Sequence, residues 1–162
     1  MCQYCGCRDM PLLRDYIAEH ERSVDHGREA VRALDRGELD VAAQRLTAMF
    51  EELRSHWQGE ENGLFAVMHT DELYAEHIDP LVAEHRELAA FLEVVDLTDP
   101  DHQKRVRAEI EELYAHIAKE EDGLFPAALT TLDGDDWDAA MAGWREAHPG
   151  RQMIAGPLHG PI

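Results

Sequence analysis

The sequence predicts an all-α protein: an antiparallel up-and-down four-helix bundle followed by a short C-terminal helix and an irregular tail. Three observations predict it. Helix formers dominate and β-branched runs are absent, so apolar residues recur at threes and fours rather than at twos. Asp-Pro occurs at 79–80 and again at 99–100, each time as a helix-start signal ahead of an apolar stripe. The chain also repeats itself. Leu53-Arg-Ser-His-Trp-Gln-Gly-Glu-Glu-Asn-Gly-Leu-Phe65 aligns with Leu113-Tyr-Ala-His-Ile-Ala-Lys-Glu-Glu-Asp-Gly-Leu-Phe125, and Ala18-Glu-His20 aligns with Ala83-Glu-His85. With 162 residues there is room for one domain with a real core.

The first helix starts at Pro11, suited to a first turn, and carries Leu13, Ile17, His20, Val24, Val31 and Leu34 until Gly37 stops the pattern. Asp40 caps a second helix with the stripe Leu46, Met49, Phe50, Leu53, His56, Glu60, Leu64 and Met68, which Gly59 and Gly63 weaken without ending. Residues 69–78 read as a connection. Asp79-Pro80 then opens a third helix bearing Leu81, Leu88 and Leu92. Asp99-Pro100 opens a fourth, with Val106, Ile110, Leu113, His116, Ile117 and Glu120; it loosens near Asp122-Gly123, and Pro126 kinks or restarts it. Residues Asp135 to Ala147 form a short amphipathic helix with Trp137, Met141 and Trp144 inward, and the Gly/Pro-rich tail from Pro149 is irregular. The expected organisation is a Cys-rich segment over 1–9, the bundle over 10–132, and the short helix with its tail over 133–162.

Lys and Arg number 15 against 34 Asp and Glu, a formal charge of −19. Such a chain repels phosphate and anionic head groups and lacks the basic clusters that counterion release needs, which argues against nucleic acid and membrane surfaces as partners. The longest apolar stretch, Leu88 to Val95, is broken by Glu93 and falls far short of the roughly 20 residues of a span. No signal-peptide pattern opens the sequence. The three cysteines, Cys2, Cys5 and Cys7, are odd in number and tightly clustered, which is not a disulfide framework. Both points lead to the expectation of a cytoplasmic protein.

Ten histidines are the feature that composition does not explain. At about 100° per residue, His20 falls in the middle of the apolar stripe of the first helix, whereas His26 lies about 120° off it and is expected in solvent. Glu60 lies about 40° from His56 and one turn further on, while Glu61 is rotated about 140° away. His85 sits between Leu81, Leu88 and Leu92, and His116 sits beside Glu120. Each long helix thus turns one histidine inward, and two of them add a carboxylate one turn later. A single inward histidine is ordinarily a hydrogen-bonded core residue. Six such groups related by an internal repeat are a different case, because two buried carboxylates without counter-charge cost several kcal/mol or are forced to protonate. Cations remove that cost. Neutral imidazoles with carboxylates suit first-row metals, and the size of the set implies two ions bridged by carboxylates.

Single inward histidines on the first and third helices, with His-x-x-x-Glu on the second and fourth, each followed by Glu-(Asn/Asp)-Gly-Leu-Phe, resemble the hemerythrin family, the HHE cation-binding domains. The resemblance covers roughly residues 10–130. It implies a four-helix bundle around a non-haem di-iron centre, with two iron ions, oxo- or hydroxo-bridged, held by His20, His56, Glu60, His85, His116 and Glu120, the glutamates bridging. The ferritin-like di-iron bundles are excluded by their Glu-x-x-His hallmark, since no histidine here has a glutamate three residues before it. The oxygen carriers of the hemerythrin family have a His-x-x-x-His pair on the third helix, yet the positions four away from His85 are Leu81 and Ala89. Either His77 swings in, or one iron keeps solvent or another exchangeable ligand. Open positions favour reactions of small oxidants over simple oxygen carriage.

The implied function is binding or processing of dioxygen, hydrogen peroxide or nitric oxide, with catalase-like and nitric-oxide-handling activities both compatible. The alternative is a non-enzymatic sensor or store of oxygen or iron. Cys2, Cys5 and Cys7 offer a second metal site for zinc or iron, with a histidine such as His159 as fourth ligand, or a thiol redox switch; a frayed terminus with ordinary thiols fits as well. Glu61, Glu121 and Glu112 are candidate acceptors for the imidazoles, although a solvated face is the simpler reading. Tyr114 should point away from the metals. Phe65, Phe125 and Trp57 are expected to pack the ends of the bundle or to narrow a gas channel.

Overall fold

The computed structural model describes residues 6–154, and every regular element among them is helical. A 3-10 turn over Cys7–Asp9 precedes α1 (Pro11–Asp35) and α2 (Leu39–Asn62). Then come α3 (Leu64–Met68), α4 (Glu72–Val94), α5 (Pro100–Lys119), a π-helical turn (Glu120–Leu124), α6 (Phe125–Thr131) and α7 (Gly134–Ala147). No helix among the described residues is long and apolar enough to cross a membrane. Cys2, Cys5, His159 and the rest of the tail beyond residue 154 lie outside the described residues. Cys7 is buried in one apolar cluster with Leu12 and Leu13.

Of the three proline start signals, two hold and one fails. Pro11 occupies the first turn of α1, and Gly37, at φ 71, takes the left-handed conformation that ends it. Asp99 caps α5 by accepting the backbone N–H of Asp101 at 2.8 Å, with Pro100 in the first turn. Asp79-Pro80, by contrast, starts nothing. The third long helix begins at Glu72, capped by Asp71, whose side chain accepts from the N–H of Leu73, so most of the expected connection over 69–78 is helical. Pro80 is tolerated inside α4 because it and Glu76, whose carbonyl it leaves without a helical donor, both lie on the exposed face. Asp79 meets His69 Nε2 at 2.7 Å instead of capping.

Two other boundaries shift. Glu38, not Asp40, is the N-cap of α2, and Asp40 falls in the first turn. Gly63 does end α2, with φ −107 and ψ −104, because α7 crosses the chain there. A Cβ on Gly63 would stand 2.6 Å from the Ala140 carbonyl oxygen, and one on Gly143 would collide with that of Asn62. The loosening expected near Asp122 is a full π-turn, and α6 restarts with Pro126 in its first turn. α7 opens at Gly134 with a capping box between Asp133 and Asp136; Trp144 is buried, while Trp137 and Met141 are half-buried.

α1 packs against α2 and α5, α2 against α4, and α4 against α5, closing a ring of four long helices; α7 packs across α2 and α3. Two apolar clusters fill the interior. One holds Ala30, Leu46, Leu53, Trp57, Leu88, Phe91 and Ile110, and the other holds Leu13, Ile17, Leu64, Phe65, Leu81, Phe125 and Trp144. His20 and His85 fall between the two clusters along their helices, and His56 and His116 lie at the edge of the first, so the polar centre has apolar packing on both sides.

Candidate metal centre

The structure brings all six expected residues together. His20 on α1, His56 and Glu60 on α2, His85 on α4, His116 on α5 and Glu120 at the π-turn are all buried. His20 Nε2 lies 3.0 Å from Glu120 Oε2 and 3.8 Å from Glu60 Oε1, and His56 Nε2 lies 3.1 Å from Glu60 Oε1. Across the centre, His116 Nε2 stands 2.9 Å from Glu120 Oε1, and His85 Nε2 stands 3.6 Å from Glu60 Oε2 and 3.0 Å from His116 Nε2. His20, His56, Glu60 and Glu120 form one group able to hold an ion; His85, His116 and Glu120 form another, so Glu120 is shared.

The other nitrogen of every ring is also occupied. His20 Nδ1 is 2.9 Å from Glu121, His56 Nδ1 is 3.1 Å from Glu19, His85 Nδ1 is 2.9 Å from Glu61, and His116 Nδ1 is 2.6 Å from Glu84. An ionised carboxylate only accepts, so each Nδ1 carries the donated proton and each neutral ring turns the lone pair of Nε2 to the centre. There it faces carboxylate oxygens that are also lone-pair donors. None of the four oxygens of Glu60 and Glu120 has a hydrogen-bond partner among the described residues. A cation between these atoms turns the repulsion into coordination, which is the fit expected of first-row metal ions.

Electrostatics agree. Burial works against the charge of His56, but the Glu60 carboxylate and the Glu19 contact outweigh it and push the ring up to about 9. Burial likewise opposes the charged form of His116, and Glu120 and Glu84 raise it to about 9. His20 rises well above its ordinary value against its burial, through Glu120, Glu121 and Glu60. Burial and the neighbouring Glu120 charge would raise Glu60, yet His56 and His20 hold it below the usual carboxylate range. Glu120 is pulled lower still, its burial outweighed by His116, His20 and His85. Without metal, protons on Nε2 must do what a cation would do.

Several outer residues differ from expectation. Glu61 and Glu121 do not lie on a solvated face: each bonds an imidazole, because residues flanking the inward stripe of a bundle helix meet the neighbouring helix. For Glu121 the π-turn contributes, carrying both it and Glu120 inside. Glu112 is exposed, and the acceptor for His116 is Glu84 instead. His77 is exposed on α4 and does not enter the centre. His26 is half-buried away from it. Trp57 and Phe65 stack on His85 with centroids 5.0 Å and 5.9 Å away, and Phe125 stacks on His20 at 6.0 Å. These aromatics therefore pack the imidazoles rather than the ends of the bundle.

Glu19, Glu84, Tyr16, Trp144 and His148 complete the surroundings of the centre; helical phasing turns Trp144 inward, as found, and passes over the other four. The repeated Ala-Glu-His at 18–20 and 83–85 contains a usable signal for the first two, since the glutamate before each histidine serves the histidine of the next long helix. Tyr16 donates to the Gly59 carbonyl at 2.8 Å and accepts from Leu64 N–H at 3.4 Å, which ties the break in α2 to α1.

Four imidazoles and two carboxylates converging inside a helical ring define a metal-binding helical protein. The Hemerythrin HHE cation binding domain model matches residues 12–128, and the chain belongs to that family. No curated protein and no solved structure gives a match.

Proposed function

We propose that the protein is a non-haem di-iron protein of an antiparallel four-helix bundle that binds or processes a small oxidant: dioxygen, hydrogen peroxide or nitric oxide. His20 and His56 would hold one iron, His85 and His116 the other, with Glu60 and Glu120 bridging. The observation that carries the reading is the set of four carboxylate oxygens, fully buried and without a hydrogen bond, each side met by imidazole Nε2 atoms. When bound, the iron pair supplies the electrons that a small oxidant takes up. The chain itself supplies the rest. Glu19, Glu61, Glu84 and Glu121 fix the ring tautomers, while Phe125, Phe65 and Trp57 hold the rings and keep bulk water out. Leu81 and Ala89, where a further histidine is absent, present no donor, which leaves room for an exchangeable ligand. Three cysteines, odd in number and within seven residues, have a spacing unlike that of a disulfide framework, which favours a reducing, cytoplasmic setting.

Metal analysis of protein purified from its native host tests this, read together with the near-ultraviolet spectrum. Two irons per chain with the absorption of a bridged pair are expected. One zinc, or no metal, would overturn the reading.

A further inference from the structure

The internal repeat makes the two halves of the centre equivalent in sequence, and the structure makes them unequal. Glu19 and Glu84 occupy matching positions, and each accepts Nδ1–H from a matching histidine, His56 or His116. Glu84 is 34% exposed and shares its charge with Lys119 at the surface. Glu19 is 1% exposed. The difference comes from α7, which lies beyond the family match at residues 12–128. Trp144 Nε1–H donates to Glu19 Oε1 at 3.2 Å, and His148 Nε2 stands 2.5 Å from the same oxygen. His148 is itself held: its Nδ1–H donates to the Trp144 carbonyl at 2.8 Å and its ring stacks on the Trp144 indole at 4.2 Å. Gly59 and Gly143 let this assembly approach the backbone of α2 closely.

On the matching side nothing equivalent to α7 covers the outer carboxylate among the described residues. A cavity of about 160 Å³ opens there between α4 and α5, lined by His85, His116, Trp57 and the half-buried Glu84. Another cavity, between α1 and α5, touches His20 and Glu121 but neither His56 nor Glu19. Glu61, the remaining acceptor of the open half, is 18% exposed beside Arg86, whereas its counterpart Glu121 is 6% exposed.

We propose that α7 is a seal on one half of the centre: Trp144 and His148 are positioning residues that lock Glu19 on His56, so the ion held by His20 and His56 is retained, while the ion held by His85 and His116 exchanges through the α4/α5 cavity. The inference rests on the two-metal reading and adds to it an order of loading and release. A carboxylate fixed by the Trp144 N–H and confined by the close His148 ring keeps its imidazole oriented, and losing such an outer partner typically weakens metal affinity by about 10–100-fold. Apart from His116 itself, the half-buried Glu84 is held among the described residues by the surface Lys119, whose contribution is screened by water.

The test uses the full chain loaded with Co2+ and challenged with excess EDTA, with cobalt release followed by its visible absorption. Two bound ions leaving in two steps, with rates at least about tenfold apart, are expected. Trp144→Phe and His148→Leu should each accelerate the slow step by about tenfold and leave the fast step unchanged. His148→Gln, which sets an amide N–H near Glu19 in place of the ring, should restore much of the slow rate, and Glu84→Gln should alter only the fast step. Far-ultraviolet circular dichroism and melting of the metal-free variants check that they fold. A role of α7 in folding alone would not separate the two steps. One common rate for both ions, or a slow step unmoved by Trp144→Phe and His148→Leu, would overturn the seal while leaving the two-metal reading intact. Binding of no cobalt would overturn both.

Discussion

Removing the metal should make the stability of the protein fall as the solution becomes more alkaline. His56 and His116 carry protons in the metal-free fold up to about 9, against an ordinary value of 6.5. Between those limits the native state binds more protons than the unfolded chain, so linkage requires stability to decrease with pH. The contribution is fully present below pH 6.5 and is lost as pH rises through about 9. Each ring is worth about 3 kcal/mol at about 1.36 kcal/mol per unit, and the two are coupled through Glu60 and Glu120, so their sum is less than double. At about 2–4 °C per kcal/mol for a chain of this size, the melting temperature should drop by about 6–12 °C for one ring alone. The carboxylates act in the opposite window: Glu19, Glu61 and Glu84 are held below their ordinary value of 4.5 by their partners, so their contribution is present above that pH and fades in acid. Metal-free protein is therefore most stable near pH 4.5–6.5. Metal replaces the Nε2 protons and binds more tightly as they leave, so the loaded protein should hold or gain stability between pH 6.5 and about 9. Calorimetric melts at pH 6.0, 7.5 and 9.0, with and without metal, decide the matter. A metal-free protein whose melting temperature is flat or rises over that range would refute the proton-for-cation exchange at Nε2.

Three further outcomes follow from single substitutions. His56→Ala or His116→Ala should remove half of the bound metal or more, whereas His26→Ala should leave the metal content unchanged; metal lost from His26→Ala would refute the phasing of α1, and atomic absorption reads all three. Gly143→Ala drives a Cβ into the Asn62 carbonyl oxygen. Backbone must move to make room, so urea denaturation should show a loss of about 2 kcal/mol. Tyr16→Phe removes the hydrogen bond to Gly59 and the acceptor for Leu64 N–H. It should cost about 1–2 kcal/mol in the same assay while leaving metal stoichiometry intact.

Much of the centre was legible because helical periodicity is a strong signal and the repeat doubles it: His20, His56, Glu60, His85, His116 and Glu120 were placed inward by phase alone, and they meet. The rest failed for identifiable reasons. Pro80 reads as a start signal only where the following helix has no earlier cap, and Asp71 supplies one further upstream. Gly63 reads as a weak point in one long helix until α7 crosses it, a tertiary contact that no local pattern announces. Glu19, Glu61, Glu84 and Glu121 lie off the stripe by a residue, and a helical wheel drawn for one helix in water assigns such positions to solvent. In a ring of helices the flank belongs to the neighbour.

That flank changes how the acidic composition is to be understood. Six carboxylates, Glu19, Glu60, Glu61, Glu84, Glu120 and Glu121, surround four imidazoles. Arg86 offsets Glu61 and Lys119 offsets Glu84 at the surface, and His148 meets Glu19. Among the described residues Glu60 and Glu120 meet imidazoles, whose Nδ1 protons already point outward to other carboxylates. Surface lysines cannot relieve them, because both are completely buried. The relief must come from the inside, as protons on Nε2 or as metal cations. Four outer carboxylates that fix every ring in the Nδ1–H form set the imidazoles up as lone-pair donors, so the geometry favours the cations over the protons. The part of the −19 formal charge that sits at the centre is thus the negative half of a site built to be neutralised.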